Sequence, residues 1–201
     1  MPARGPYRKG EAKRAEILRT ALEVFANEGY PGTSLSKVAA RCNLSLPGLL
    51  HYFASKEDLL TEVLRASDRA ALARFPDHWI TEHAVEAMRA DGGTPGLVAL
   101  FLAMAASAGD PDHPAHSFFP PRYERLREAA RRHLRAGQEA GEVRSDLSAE
   151  QLATLMIAVA DGSQLQWLAD PSLDRGEILA AFVRLVRLDR RPADESAGCG
   201  P

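Results

Sequence analysis

The sequence predicts an all-α protein, with a three-helix helix-turn-helix head at the N-terminus and a larger helical body behind it, about nine helices in all. Three observations predict it. Apolar residues recur at the three- and four-residue spacing of helix faces along most of the 201 residues. Capping residues punctuate those stripes, and three such starts crowd between Thr33 and Leu60. Hydrophobic content of 45% with only 6% aromatics suits a helix-rich protein, and no stretch approaches the roughly 20 consecutive apolar residues of a membrane span.

The elements follow in order. Residues 1–10 read as a flexible basic arm without the apolar centre of a signal peptide. Residues 11–28 form a helix with Ile17, Leu18, Ala21, Leu22 and Phe25 on one face, and Gly29 suits its stop. Thr33 and Ser34 cap a short helix whose stripe is Leu35, Val38, Ala39 and Cys42, and Asn43, which tolerates left-handed angles, ends it. Ser45 opens the next helix, with Pro47 in its first turn and Leu49 and Phe53 facing inward. Ser55-Lys56-Glu57-Asp58 then resembles a capping box at the head of a long helix running toward Phe75 and Pro76. These starts leave only a tight turn between the two short helices, the spacing of a helix-turn-helix.

The body continues with helix candidates at 78–90 and 95–108, the second apolar on nearly every side and so expected to be central. A Pro- and Asp-rich loop, GDPDHPAHSFFPPR, precedes a charged helix over 121–140 striped by Tyr123, Leu126, Ala130 and Leu134. Helices over 148–169 and 174–188 complete the body, and the tail 189–201 has too little to bury to order itself. The domain division is therefore 1–56 for the head and 57–188 for an effector-binding and dimerisation body.

Charge supports that division. Residues 1–56 carry nine Lys/Arg and four acids, a net 9 − 4 = +5, so the overall −2 leaves −2 − 5 = −7 for the rest. A basic head on an acidic body fits a nucleic-acid reader mounted on a part that does not touch nucleic acid.

The head also resembles a known family. Ala21-Leu22-Glu23-Val24-Phe25 with Gly29-Tyr30, Thr33-Ser34, Val38-Ala39, Leu44-Ser45, Tyr52-Phe53, Ser55-Lys56-Glu57 and Leu59-Leu60 follow the order and spacing of the TetR (tetracycline repressor-like) family of bacterial transcriptional regulators. Two positions depart from it: Cys42-Asn43 replaces the usual Ala-Gly, and Leu50 stands where an aromatic is common. The resemblance implies base-facing positions at Ser45, Leu46, Pro47, Leu50 and His51, close backbone approach at Gly48, and phosphate contacts from Ser34, Lys37, Tyr52 and Lys56. Leu and Pro can mainly touch thymine methyls, so apolar contact and DNA shape are expected to supply much of the specificity.

Two further implications concern the body. A small, hydrophobic effector is expected among Met88, Phe101, Met104, Phe118, Phe119, Tyr123 and Trp167, with His116 as polar anchor. The last two helices are expected to pair with those of a second copy through Leu152, Leu155, Met156, Val159, Gly162, Ile178, Phe182 and Leu185; independently, they carry more apolar surface than a monomer readily exposes.

Other chemistry finds little support. His113-x-x-His116 lies in a Pro-rich loop without a neighbouring Cys, so no metal is expected. Cys42 and Cys199 make neither a disulfide framework nor a zinc site, which points to a cytoplasmic protein. No catalytic motif is present, so neither enzyme activity nor a cofactor is expected. The reading is a ligand-responsive regulator, most simply a repressor binding a palindromic double-stranded operator as a homodimer, with no membrane partner. Its rivals are an effector-independent DNA-binding protein, and a helical enzyme or small-molecule binder with a vestigial head.

Overall fold

Helix α1 (Gly5–Gly32) is interrupted at Gly29, which takes φ 70° and ψ 169°. Only glycine adopts that conformation without strain, so the expected stop is real, and a short helical stretch continues beyond it past Pro31. The computed structural model describes residues 5–74, 82–90 and 95–188. The start of α1 corrects the sequence reading: Gly5 to Gly10 are helical, where an arm was expected. They lack an apolar stripe and a capping residue, the two signals by which a helix start is read.

The helix-turn-helix follows the predicted chemistry. In α2 (Leu35–Arg41) the Ser34 hydroxyl accepts from the Lys37 amide at 3.3 Å. Asn43 takes φ 54° in the turn. In α3 (Leu46–Leu50) the Ser45 hydroxyl accepts from the Gly48 amide at 3.2 Å, and Pro47 sits in the first turn. At the head of α4 (Lys56–Arg74), the Ser55 hydroxyl accepts from the Asp58 amide at 3.1 Å, and the Asp58 carboxylate accepts from the Ala54 amide at 2.9 Å. The box therefore closes one residue upstream of its usual reciprocal partner.

The body comprises α5 (Glu82–Ala90), α6 (Pro95–Ser107), a 3-10 turn over Pro114–Ser117, α7 (Phe119–Glu139), α8 (Ala149–Ala169) and α9 (Arg175–Val186). Ser148 and Gln151 form a complete capping box on α8, and Asp174 caps α9. Gly141, at φ 68°, ends the α7 region as a left-handed stop. One pairing has no counterpart in the sequence reading: Val143 and Arg187 form an antiparallel bridge. Arg144 N donates to Val186 O and Leu188 N to Glu142 O, both at 2.9 Å, so the α7–α8 loop is zipped to the end of α9.

Two apolar cores divide the interior. The first joins the head residues Ile17, Ala21, Phe25, Val38, Leu49 and Phe53 to Leu60 and Leu64 of α4 and continues without a break through Leu100, Met104, Ala115, Phe118 and Phe119. The second holds Val85, Ala130, Leu134, Leu152, Met156, Leu179 and Val186. Hydrophobic packing thus crosses the sequence division at 56/57. The contact of α1 with α6 is close: a Cβ built on Gly96 would lie 2.3 Å from the Ala26 carbonyl oxygen. An ion pair adds a second tie, since Arg14 of α1 reaches Glu62 of α4 at 2.7 Å while stacking 4.9 Å over Phe53.

Residues 1–4 of the expected arm, the expected stop at Phe75-Pro76, residues 78–81 of the fifth helix, and the tail with Cys199 lie outside the described residues. Among the described residues no helix is long and apolar enough to cross a membrane.

Candidate nucleic-acid interface and effector site

The short helix α3 is held from below and open above. Leu49 is fully buried and Phe53 nearly so, whereas Leu46 and Leu50 remain 38% and 40% exposed. Ser45, Pro47 and His51 are exposed beside them, and Gly48 is half-buried under its own cap. One face of a five-residue helix is therefore fixed by the core while the other presents two leucines, a proline and an imidazole to solvent. His51 packs edge-on against Tyr52 at 5.5 Å, and Tyr52 is itself half-buried against the first core.

The two expected phosphate-binding lysines already have partners inside the protein. Lys37 pairs with Glu28 at 2.8 Å. Lys56 lies 4.4 Å over the ring of Tyr30 and reaches the Pro31 carbonyl at 3.4 Å. Tyr30 is the hub of this corner. Its hydroxyl donates to Glu57 at 2.8 Å, and the ring of His113, from the body's Pro-rich loop, meets it edge-on at 6.0 Å. Burial and then the Glu57 carboxylate push the Tyr30 phenol upward. Glu57 is lowered, first by its own backbone amide at the helix start, then by the Ser55 and Tyr30 hydroxyls. The corner thus holds a neutral phenol on an ionised carboxylate.

In the body, five of the eight residues expected near an effector come together. Phe101, Phe118 and Phe119 pack edge to face with centroids 5.0 to 6.3 Å apart, Tyr123 stands 6.0 Å from Phe119, and Met104 is buried in the same core. The other three lie elsewhere. Met88 packs on the second core, and Trp167 lies under the Arg175 guanidinium at 4.0 Å. His116 is exposed, with Nδ1 2.8 Å from the Ala108 carbonyl, so the 3-10 turn carries it outward, away from an anchoring role.

The polar group beside the rings is one the sequence reading passed over. Asp161, in the middle of α8, accepts from the Tyr123 hydroxyl at 2.7 Å. Burial raises its carboxyl above the ordinary range, against the opposing effects of the Tyr123 hydrogen bond and Arg122. The available signal was a lone acid within the apolar run from Leu152 to Leu168.

The candidate pairing face divides. Leu152 and Met156 are buried in this chain's own core and so do not face outward, a correction with a simple cause: α8 packs between α7 and α9. Leu155 and Leu185 remain 46% and 72% exposed, as does Leu165 at 62%, which the sequence reading omitted. Val159, Gly162, Ile178 and Phe182 are half-buried between the two groups. Among the described residues no cluster of three or more His, Cys, Asp or Glu could hold a metal ion.

Comparison with known proteins agrees with this architecture. Residues 17–63 match the model described as bacterial regulatory proteins, tetR family, and residues 76–188 match that of the BetI-type transcriptional repressor, C-terminal. The transcriptional regulator UidR of Escherichia coli is 23% identical over 162 residues, 77% of this chain and 81% of its own length. RutR of the same organism is 44% identical over 54 residues, 27% of this chain and 26% of its own. A transcriptional regulator from Saccharomonospora viridis, solved in complex with choline, superposes with a TM-score of 0.72 at 24% identity, covering 89% of this chain and 99% of that one.

Proposed function

Since the chain belongs to the tetR family of bacterial regulatory proteins, and is thus a DNA-binding transcriptional regulator and not an enzyme, we propose that it is a repressor. It binds a palindromic operator as a homodimer and is released by a small hydrophobic effector. The observation that carries the reading is α3, anchored by Leu49 and Phe53 and open at Leu46, Pro47, Leu50 and His51. Those side chains, with Ser45, face base edges, and Gly48 lets the backbone approach the duplex. Ser34, Lys37, Tyr52 and Lys56 touch phosphates, the two lysines sharing their charge between Glu28 or Tyr30 and the DNA. Two such helices in a dimer address major grooves about one turn, or ~34 Å, apart.

Leu155, Leu165 and Leu185 supply the pairing face, which a solitary chain would leave in water. The effector sits against Phe101, Phe118, Phe119 and Tyr123. The Asp161 carboxylate there favours a hydrophobic molecule with a positive charge, because aromatic faces and an acid both attract cations. The choline held by the Saccharomonospora relative has that chemistry. The protein works in the cytoplasm, where its operator is.

The test is fluorescence anisotropy on DNA from upstream of its own gene. Salt-sensitive, sequence-preferring binding is expected, and its absence overturns the reading. Leu155→Glu with Leu185→Glu should give monomers by sedimentation and abolish operator binding; a surviving dimer removes this face from the proposal. Choline and longer alkyl-trimethylammonium ions should weaken operator binding in wild type and not in Asp161→Asn. No weakening in the wild type rejects the cationic effector, and equal weakening in both removes Asp161 from its site; either result leaves DNA recognition standing.

A further inference from the structure

A cleft borders the aromatic cluster at Phe118, between α4 and the start of α7. Arg65, Asp68 and Arg69 of α4 form one wall, and Ser117, Phe118, Pro121 and Arg125 the other, enclosing about 350 Å³. Three guanidiniums and one carboxylate line it, a net 3 − 1 = +2 in a chain whose overall charge is −2.

The charges are arranged, not scattered. Asp68 is largely buried and engages the opposite wall twice, taking Arg122 Nε at 2.8 Å and Arg125 Nη2 at 3.0 Å. Its negative charge is therefore spent on holding α4 against α7. Arg65 gives one nitrogen to Glu62 at 2.9 Å and keeps its other donors. Arg69 has no ion-pair partner among the described residues. The first turn of α7 contains no acid to offset these guanidiniums. Phe118 and Pro121 add an apolar floor.

We propose that this cleft binds a small phosphate-bearing molecule, the dianion taken by Arg65, Arg69 and Arg125 and a compact apolar portion lying on Phe118 and Pro121. A phosphomonoester carries roughly −1.5 to −2 at neutral pH, which matches the excess charge of the lining. Arginine forks suit phosphate oxygens better than a lysine ammonium does. Because Arg65 and Arg69 stand on the helix that carries the head, and Arg125 on the body, an occupied cleft clips α4 to α7. The cleft adjoins the proposed effector site, with which it shares Phe118, but takes its ligand on the guanidiniums rather than on the ring cluster.

The experiment is calorimetric titration of the full chain with phenyl phosphate, inorganic phosphate and phenol. Saturable one-to-one binding is expected for phenyl phosphate and none for phenol. Inorganic phosphate binding equally well identifies the free ion as the ligand, and weaker binding identifies an ester with an apolar group; both support the site. Arg69→Ala with Arg125→Ala should weaken phenyl phosphate about tenfold or more, the scale of a lost charge-assisted contact. Arg132→Ala, on an exposed part of α7 outside the cleft, should leave it unchanged. Should the double variant melt early, Arg69→Ala alone carries the test, because it breaks no ion pair among the described residues. No saturable binding, or binding indifferent to Arg69, overturns the proposal. So does a result in which the variants only lower the salt dependence of DNA binding, since the patch is then a nucleic-acid contact.

Discussion

Replacing Gly96 with alanine should loosen the joint between head and body. The new Cβ would stand 2.3 Å from the Ala26 carbonyl oxygen, 2.9 Å from its carbon and 3.2 Å from the Ala26 Cβ, where ordinary contact begins at 3.4 Å. The shortfall to the oxygen is 3.4 − 2.3 = 1.1 Å, and the obstructing atoms are backbone, so no side chain can swing aside. Either α6 slides along α1 or the two separate. Overpacking of this kind costs about 1–3 kcal/mol. Alanine's better helix propensity returns at most about 1 kcal/mol, and less in a first turn. The net expectation is a loss of about 1–2 kcal/mol, which for a chain of this size lowers Tm by about 2–8 °C. Differential scanning calorimetry of the full chain measures it. Gly10→Ala is the internal control: nothing lies within 4 Å of its added Cβ, so the same exchange in α1 should be neutral or stabilising. Operator affinity of Gly96→Ala should change as well, because the displaced surface joins the helix that supports the head. A variant melting at or above wild type would show that α1 and α6 do not meet as described.

Three further expectations follow from other parts of the fold. Ser148→Ala removes half of the capping box on α8 and should cost about 1 kcal/mol in urea unfolding, while Gln151→Ala, which removes the reciprocal half, should cost less. Asp161→Asn should raise stability at neutral pH, because a folded-state pKa above the unfolded value means its stabilising contribution is full at acid pH and lost as pH rises through the folded value. The advantage of the variant should therefore be larger at pH 7 than near pH 4, where the carboxyl is substantially protonated; an equal or reversed difference in urea midpoints refutes the burial argument. Lys56→Ala should lower the salt slope of DNA binding by about one unit and weaken all sequences alike. An unchanged slope would leave Lys56 only its place over Tyr30.

What the sequence disclosed was local. The caps at Ser34, Ser45, Ser55 and Ser148, the left-handed Asn43 and the stop at Gly29 depend on chemistry within four residues, and each was legible. So was the inward face of the head, where Ile17, Phe25, Leu49 and Phe53 obey a single helical period. The Tyr123–Asp161 bond, by contrast, joins residues 38 apart, and nothing near either one announces the other. The Val143–Arg187 bridge is likewise a meeting of distant segments. Helix α8 shows a third kind of failure. It is apolar around most of its circumference, so periodicity could not say that Leu152 and Met156 turn inward while Leu155 and Leu165 turn out.

The unbroken core from Ile17 to Phe119 bears on how this protein could be cut and recombined. A chimaera that exchanged heads at residue 56 would sever α4 from Phe25 and Phe53 and leave Leu60, Leu64 and Leu100 facing foreign side chains. A graft intended to keep its fold must therefore carry α6 and the 3-10 turn along with the head. In this molecule the exchangeable unit is larger than the motif that reads DNA.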